Sequence, residues 1–391
     1  MTGTRQLPIT HKARTRARAG AGLLLAGAML TGCGAEPGEI PLSEIRAETP
    51  SATPTPEPAA GLSAPTAGAV VAAASTRHNG QIAGRVFLDT TRTTSAVFTV
   101  APDGTGEHQL TQPPARTRDD HPDWSPDGTT LAFDRTDDES AGRIWTIGAD
   151  GANARQVGPL CEAGAPDCTN EQEITPAFSP DGRQIAFSRA WGAADPAAGQ
   201  IQYSDVYVMS PDGTNVQRLT FLTNDKPYSG LVTNPSWSPD GKQLVFSYQT
   251  SATGQPANGR ALYLVNADGT GLRRLTPWEL RAGDRANWSP DGSQIIFTTY
   301  PAGPENTPGG GIYTVHPDGT AIGALTPGPS DVLYGVASYS PDGASIAYAQ
   351  APLNGTAELY TMKNDGSNAA PVTSTPDRWE TRPAWGTAVA P

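Results

Sequence analysis

Two short motifs alternate along this 391-residue chain from residue 79 onward. One is an aromatic residue followed by Ser-Pro-Asp-Gly and an apolar run; its five aromatic residues are Trp124, Phe178, Trp237, Trp288 and Tyr339. The other is an alternating apolar run leading into Asp-Gly; its six aspartates are Asp103, Asp150, Asp212, Asp268, Asp318 and Asp365. The period of about 52 residues limits the fold to an array of small units that bury their apolar faces against each other.

Each motif predicts a tight turn between two strands. In Ser-Pro-Asp-Gly, proline sets φ for the second position of a type I turn and glycine takes the last position. The alternating apolar residues on either side are typical of a β-hairpin. Each repeat therefore predicts a four-stranded antiparallel meander, and such sheets bury both faces by packing in a ring, as in a β-propeller.

The two ends of the repeat region complement each other. Asn79 to Leu88 contains a second strand that lacks a first strand before it, and Arg382 to Gly386 contains a first strand that lacks a successor. We expect the C-terminal strand to pair with the N-terminal blade, which closes six blades over residues 79–391 and leaves no free sheet edge.

The aromatic-Ser-Pro-Asp-Gly and Asp-Gly motifs resemble the PD40, or TolB-like, β-propeller repeat. Propellers of the dipeptidyl peptidase IV type carry a similar repeat. The resemblance covers nearly all of residues 79–391 and implies an all-β, six-bladed TolB-like propeller, while it implies little about function. A peptidase of that type needs a hydrolase domain with a Gly-x-Ser-x-Gly motif, which this sequence does not contain.

The first 78 residues predict an export signal, a lipid anchor and a tether. Residues 1–32 hold five basic residues and an apolar run too short to span a membrane, as in a signal peptide. The run ends in Leu-Thr-Gly-Cys, which resembles the bacterial lipobox and predicts lipidation of Cys33. The alternative is a buried or disulfide-bonded cysteine after an ordinary leader. Residues 33–78 are rich in Pro, Ala and Thr and predict a disordered tether.

Two further cysteines, Cys161 and Cys168, lie close together in the chain. Outside the cytoplasm, a disulfide between them is the default expectation. A metal site is the alternative, but no histidine or second cysteine pair lies nearby in the sequence. We predict no cofactor.

The long connections between hairpins all fall on one side of a meander, opposite the short turns, and we expect binding there. Their residues are acidic and aromatic, which suits a cationic or glycan ligand. Solvated carboxylates and rings packed between blades are the alternative interpretation. The predicted loop-face binding residues are Asp119, Asp120, Glu173, Tyr228, Trp278, Tyr334, Trp379 and Glu380.

A second candidate site lies three residues before each aromatic residue at the end of a first strand. These positions predict a ring at the mouth of a central channel: His121, Thr175, Asn234, Arg285 and Arg382, with Val336 as the sixth member. The two arginines could hold an anion or the carboxylate of a partner. A water-filled polar channel explains the same residues equally well.

Charge and motifs together narrow the function. A net charge of −12 argues against nucleic acid as a partner, and the sequence contains no motif of metal, phosphate or nucleophilic catalysis. We therefore predict a membrane-anchored, extracytoplasmic lipoprotein whose propeller is a non-catalytic scaffold for an envelope protein or peptide segment. The alternative is a propeller that binds or degrades envelope polysaccharide.

Overall fold

A computed structural model describes most of the repeat region. The described residues are 78–137, 142–158, 171–191, 203–222, 230–250, 259–300, 310–326, 332–352 and 355–389. Within these ranges the regular structure is 24 β-strands and one 3₁₀ helix, Trp278–Leu280. The predicted all-β class is therefore confirmed.

The strands are short and follow one another closely, as the turn motifs predict. The first twelve are β1 (Asn79–Phe87), β2 (Ser95–Val100), β3 (His108–Gln109), β4 (Thr117–Trp124), β5 (Thr130–Asp137), β6 (Arg143–Gly148), β7 (Arg155–Gln156), β8 (Gln172–Phe178), β9 (Ile185–Trp191), β10 (Tyr203–Met209), β11 (Gln217–Arg218) and β12 (Gly230–Trp237). The other twelve are β13 (Gln243–Thr250), β14 (Arg260–Asn266), β15 (Arg273–Arg274), β16 (Ala282–Trp288), β17 (Ile295–Thr299), β18 (Ile312–Val315), β19 (Gly323–Thr326), β20 (Val332–Tyr339), β21 (Ser345–Pro352), β22 (Glu358–Lys363), β23 (Ala370–Pro371) and β24 (Trp379–Thr387).

These strands form five sheets. Four sheets are four-stranded antiparallel meanders: β8 to β11, β12 to β15, β16 to β19 and β20 to β23. The fifth has eight strands, ordered β24-β1-β2-β4-β5-β6-β7 with β3 also paired to β2. Within it, β2 and β4 share a single parallel pair, Ser95 with Arg118, whereas all its other pairings are antiparallel.

The strands from the two ends of the repeat region pair with each other. β24 lies antiparallel to β1, with Trp385 opposite Ile82 and Trp379 opposite Phe87. This is the pairing expected between the chain ends. The number of blades and the closed ring remain predictions.

The Ser-Pro-Asp-Gly turns are held by their own side chains. In the first copy Ser125 Oγ donates to Asp127 Oδ1 at 2.6 Å, and the Thr130 amide donates to Ser125 Oγ at 3.0 Å. The neighbouring Asp-Gly turn lies alongside, because the Ala149 amide donates to the Thr129 carbonyl at 2.8 Å. The short turns thus share one end of the sheets, which we call the turn side. In an antiparallel meander the long connections lie at the opposite end, which we call the connection side.

The core is divided among the spaces between sheets. Six clusters of buried apolar side chains each join residues of two neighbouring sets of strands. One contains Val97 of β2 with Leu131 and Phe133 of β5. Another contains Phe98 of β2 with Leu359 of β22. The strands are therefore apolar on both faces, as expected of sheets covered on both sides.

Candidate binding site

Six strands carry a β-bulge at the same place, and we call them the bulged strands: β4, β8, β12, β16, β20 and β24. Five of the bulges contain a residue with a left-handed φ between 51° and 59°: His121, Thr175, Asn234, Asp284 and Arg382. A bulge re-aims side chains, and left-handed backbone at non-glycine residues collects at functional sites. Neighbouring bulged strands contact each other, so these residues lie together.

All five predicted channel-mouth residues thus lie in bulges, and four of them take the left-handed conformation. In β16 it is Asp284, and not the predicted Arg285, that takes the left-handed conformation. Sequence reasoning missed Asp284 because the bulge of β16 places three residues opposite one, whereas that of β4 places two opposite one, so the count back from the aromatic residue shifts by one.

Arg382 lies at the centre of the first group of contacts. Its Nε is 2.9 Å from Asp120 Oδ1, and its Nη1 donates to Asp284 Oδ1 at 3.2 Å. Asp120 also accepts from Arg85 Nη1 at 2.5 Å. Burial alone would raise the pKa of Asp120, but the charges of Arg382 and Arg85 outweigh burial and hold the pKa below its usual range. Two arginines and two carboxylates therefore neutralise each other here.

Arg285 joins strands that are far apart in the sequence. It donates through Nη1 to the Pro122 carbonyl at 2.9 Å and through Nη2 to Asp123 Oδ1. The other oxygen of Asp123 accepts from the Phe178 amide at 2.8 Å. Burial raises the pKa of Asp123 in spite of the Arg285 charge. The guanidinium of Arg285 is thus already bound to a carboxylate of this chain, as is that of Arg382.

A third group of contacts is a row of hydrogen bonds across β4, β8 and β12. His121 Nδ1 lies 2.7 Å from Asp134 Oδ1, which also accepts from the Thr175 amide at 2.9 Å. Thr175 Oγ1 in turn accepts from the Asn234 amide at 3.1 Å. Asn234 Oδ1 is buried and has no hydrogen-bond partner among the described residues. Most polar atoms of the site are therefore held in fixed positions by other residues of the chain.

Four predicted loop-face residues do not lie on an exposed loop. Asp119, Asp120, Glu173 and Glu380 are in strands and at most 9% exposed. The prediction of exposed positions is wrong because the strands extend further than the alternation indicated. Buried carboxylates then need a partner: Asp119 accepts two hydrogen bonds from Arg135, at 2.6 and 2.8 Å.

The other buried carboxylates have similar partners. Glu173 Oε1 accepts from Arg189 Nη2 at 2.7 Å, and Glu380 Oε1 accepts from Thr375 Oγ1 at 2.9 Å. Burial raises the pKa of Glu380. These acids stabilise contacts within the sheets, and they do not form the acidic outer surface expected from the sequence.

The predicted aromatic residues are also mostly packed against the chain. Trp278 is 7% exposed and lies in an apolar cluster with Tyr248. Tyr334 is half-buried beside Tyr348, with ring centroids 6.0 Å apart. Trp379 of β24 is covered by the Arg92 guanidinium, 3.6 Å from the ring centroid. These three rings therefore fit the alternative interpretation, in which the aromatic residues pack against other parts of the chain.

Several predictions fall outside the described residues: Tyr228, the lipidated Cys33, and the disulfide between Cys161 and Cys168. Among the residues that are described, no group of three or more His, Cys, Asp and Glu side chains is arranged to hold a metal ion.

The repeated meanders with apolar clusters between them, and bulged first strands that contact one another, define an all-β propeller. The sequence profile of the PD40 family, described as the TolB beta propeller domain, matches residues 168–389. The chain belongs to this family, and its fold is a TolB-like β-propeller.

Solved structures agree with the fold. TolB from Acinetobacter baumannii superposes with a TM-score of 0.57 and 19% identity, covering 78% of this chain and 66% of that one. The hydrazine synthase of Kuenenia stuttgartiensis gives a TM-score of 0.58 at 17% identity, covering 79% of this chain and 47% of that one. At such identities the likeness concerns the fold alone.

Two curated relatives match parts of this chain in sequence. The uncharacterized protein Atu1656 of Agrobacterium fabrum is 29% identical over 45% of this chain and 53% of its own length. The uncharacterized peptidase YuxL of Bacillus subtilis is 27% identical over 45% of this chain and 29% of its own length. The matches thus span about half of the first relative and under a third of the second.

Proposed function

We propose that this chain is a lipid-anchored, extracytoplasmic protein whose propeller is a non-catalytic scaffold that binds a segment of an envelope protein. The observation that carries the proposal is the meeting of bulged strands, whose strained residues His121, Thr175, Asn234, Asp284 and Arg382 lie close together. Because ion pairs and hydrogen bonds within the chain fix these groups, they form a rigid polar surface suited to recognition.

The proposal includes a closed ring of six blades. One support is the order of contacts among the bulged strands, since β24 touches both β4 and β20. A second is the number of apolar clusters, because six blades in a ring have six interfaces. In this interpretation the eight-stranded sheet consists of two blades, which the single β2–β4 pair connects.

The turn side gives a third support. In four Ser-Pro-Asp-Gly turns the glycine faces the proline of the preceding such turn, as Gly182 faces Pro126 with 3.3 Å from an added Cβ to the ring. At the junction of the chain ends the partners differ: the side chain of Asn79 bonds with Asp342, and Thr387 lies over Gly128. Thr387 thus takes the place that a proline fills elsewhere, and Asn79 supplies the contact to the last Ser-Pro-Asp-Gly turn.

Envelope location is inferred from the leader and Cys33 of the sequence. A search of the described residues finds no helix long and apolar enough to cross a membrane. In the proposal, lipid on Cys33 holds the protein at the outer face of a membrane and the tether separates the propeller from it.

Capture of a partner tests the proposed function. The full chain is used to pull down proteins from detergent-solubilised envelopes of its own source, beside a variant with Asn234→Ala. We expect one protein in stoichiometric amount with the wild type and less with the variant. Turnover or binding of envelope polysaccharide without a protein partner would support the alternative function and contradict this one.

A further inference from the structure

One part of the connection side combines arginine with an exposed aromatic ring. The guanidinium of Arg260, the first residue of β14, lies over the ring of Tyr300 at 4.3 Å from the ring centroid. The Tyr300 amide donates to the Arg281 carbonyl at 3.1 Å. Tyr300 is 38% exposed, which makes it one of the few large exposed rings in the described chain.

Gly283 of β16 makes room for this arrangement. A Cβ added to Gly283 would overlap the ring of Tyr300 and would lie 3.1 Å from Cδ of Arg260. The ring and the arginine stem can therefore lie flat against β16 only because residue 283 has no side chain.

The charge of Arg260 differs in its surroundings from that of several other arginines on the connection side. Arg85, Arg135 and Arg189 each have a carboxylate within ion-pair distance. In the residues that the structure describes, no carboxylate lies at that distance from Arg260. Burial, together with the charge of Arg260, lowers the pKa of Arg281. The charge of Arg260 is therefore felt by its neighbours without a described carboxylate to offset it, in a chain of net charge −12.

We propose that Arg260, stacked on the Tyr300 ring, forms a binding site for a carboxylate of an acidic peptide segment. The inference rests on the proposed function and specifies the chemistry of the partner. A planar guanidinium stacked on a ring keeps its outer edge free for two parallel hydrogen bonds to a carboxylate. The Tyr300 ring adds flat apolar area for the stem of the glutamate or aspartate.

This reverses the ligand charge that the sequence indicates for the long connections. The acidic residues of that expectation, such as Asp119 and Glu173, are buried and paired with arginines. Arg260 and the exposed part of the Tyr300 ring instead lie where a ligand could reach them. The surface around Arg260 therefore suits an anionic partner.

Peptide binding tests the site directly. A fluorescent decaglutamate peptide is titrated with the full chain at low salt, with decaglutamine as the uncharged comparison. We expect decaglutamate alone to bind, about tenfold more weakly to Arg260→Ala, in line with the loss of one charge-assisted contact of about 1.4 kcal/mol. Arg260→Lys, which keeps the charge but loses the planar fork, should bind with intermediate strength.

Arg183→Ala is the matched control, because Arg183 is an exposed arginine on the turn side. It should bind decaglutamate as the wild type does. Equal binding by Arg260→Ala, equal loss in the control, or binding of polygalacturonate without binding of the peptide would each overturn the inference. Thermal unfolding checks that Arg260→Ala folds; if it does not, Arg260→Lys decides the result.

The envelope pull-down separates this inference from the proposed function. If Arg260→Ala captures the same partner as well as the wild type does, the carboxylate site is wrong and the scaffold function stands. If the wild type captures no protein, the proposed function itself is wrong.

Discussion

At the scale of single residues, Glu173 fills the place of a missing threonine. In five repeats a threonine hydroxyl accepts from a backbone amide of the neighbouring strand: Thr111, Thr220, Thr276, Thr326 and Thr373. The remaining repeat has Gly158 there, and an added Cβ would overlap Glu173 Oε2 and lie 3.4 Å from the Ile144 amide nitrogen. A carboxylate from the next strand set thus occupies the space of the threonine.

That carboxylate is poorly solvated. Glu173 is 0% exposed, and its Oε2 has no hydrogen-bond partner among the described residues. Burial raises its pKa to about 7, although Arg189 and Arg143 lower it and Glu171 raises it further. Its protonation state therefore changes near neutral pH.

The free energy of unfolding should depend on whether Glu173 is protonated. Because the folded-state pKa of about 7 exceeds the ordinary value of 4.5, the folded protein binds the proton more tightly. Its contribution to stability is complete below about pH 4.5 and is lost as the pH rises to about 7. Glu173→Gln should remove up to about 3 kcal/mol of this pH dependence. Urea unfolding at several pH values measures it.

Glu279→Gln is the control for this experiment, since Glu279 is exposed. Its unfolding free energy should follow the wild-type pH profile. A profile of Glu173→Gln that is parallel to that of the wild type would mean that Glu173 titrates at its ordinary pKa.

Gly128 tests the contact between the C-terminal residues and the first Ser-Pro-Asp-Gly turn. It has φ of 72°, and a Cβ would overlap the Thr387 carbonyl oxygen. Gly106 has a similar φ of 65° with nothing within 4 Å. Gly106→Ala should cost about 1 kcal/mol for backbone strain alone, and Gly128→Ala about 1–3 kcal/mol more because of the overlap. Equal losses in thermal unfolding would show that Thr387 does not press on this turn.

At the scale of elements, the pairing of β24 with β1 is the feature on which the others depend. Sequence reasoning predicted it because each end of the repeat region lacks the strands that the other end has. It could not predict that Thr387 replaces a proline over Gly128 or that Asn79 bonds with Asp342, since those contacts carry no sequence motif. Strand lengths were also underestimated at β4, β8 and β24, where buried acidic residues interrupt the apolar alternation.

Removal of β24 should destabilise the whole propeller, and not only the eight-stranded sheet to which β24 belongs. Truncation of residues 379–391 exposes the edge of β1 and part of an apolar cluster, so we expect loss of the cooperative unfolding transition in circular dichroism. A synthetic peptide of residues 379–391, added in excess, should restore the transition. Truncation of residues 390–391 alone is the control and should have little effect. An unchanged transition without β24 would contradict the proposed closed ring.

At the scale of the whole molecule, the predicted anchor and the propeller should be independent of each other. Cys33→Ser removes the thiol that would carry the lipid, so we expect the protein to move from the membrane to the soluble fraction with its unfolding temperature unchanged. Cell fractionation followed by immunoblotting measures this. A Cys161→Ser and Cys168→Ser double variant should remain in the membrane fraction. Retention of Cys33→Ser at the membrane would show that another segment holds the protein there.

The sequence by itself determined the local structure of this protein. Proline and glycine in Ser-Pro-Asp-Gly, and the alternation of apolar residues, act over a few neighbouring residues, so the turns, the strands and their repetition could be predicted. The tertiary structure decided which charged side chains are paired within the chain and which remain available to bind a ligand. Arg285 and Asp123 are 162 residues apart in the sequence and Arg85 and Thr381 are 296 apart, and only the packing of the sheets brings such partners within hydrogen-bond distance. Whether a carboxylate is buried and paired depends on those distances. No local pattern in the sequence could therefore reveal which carboxylates are buried and paired.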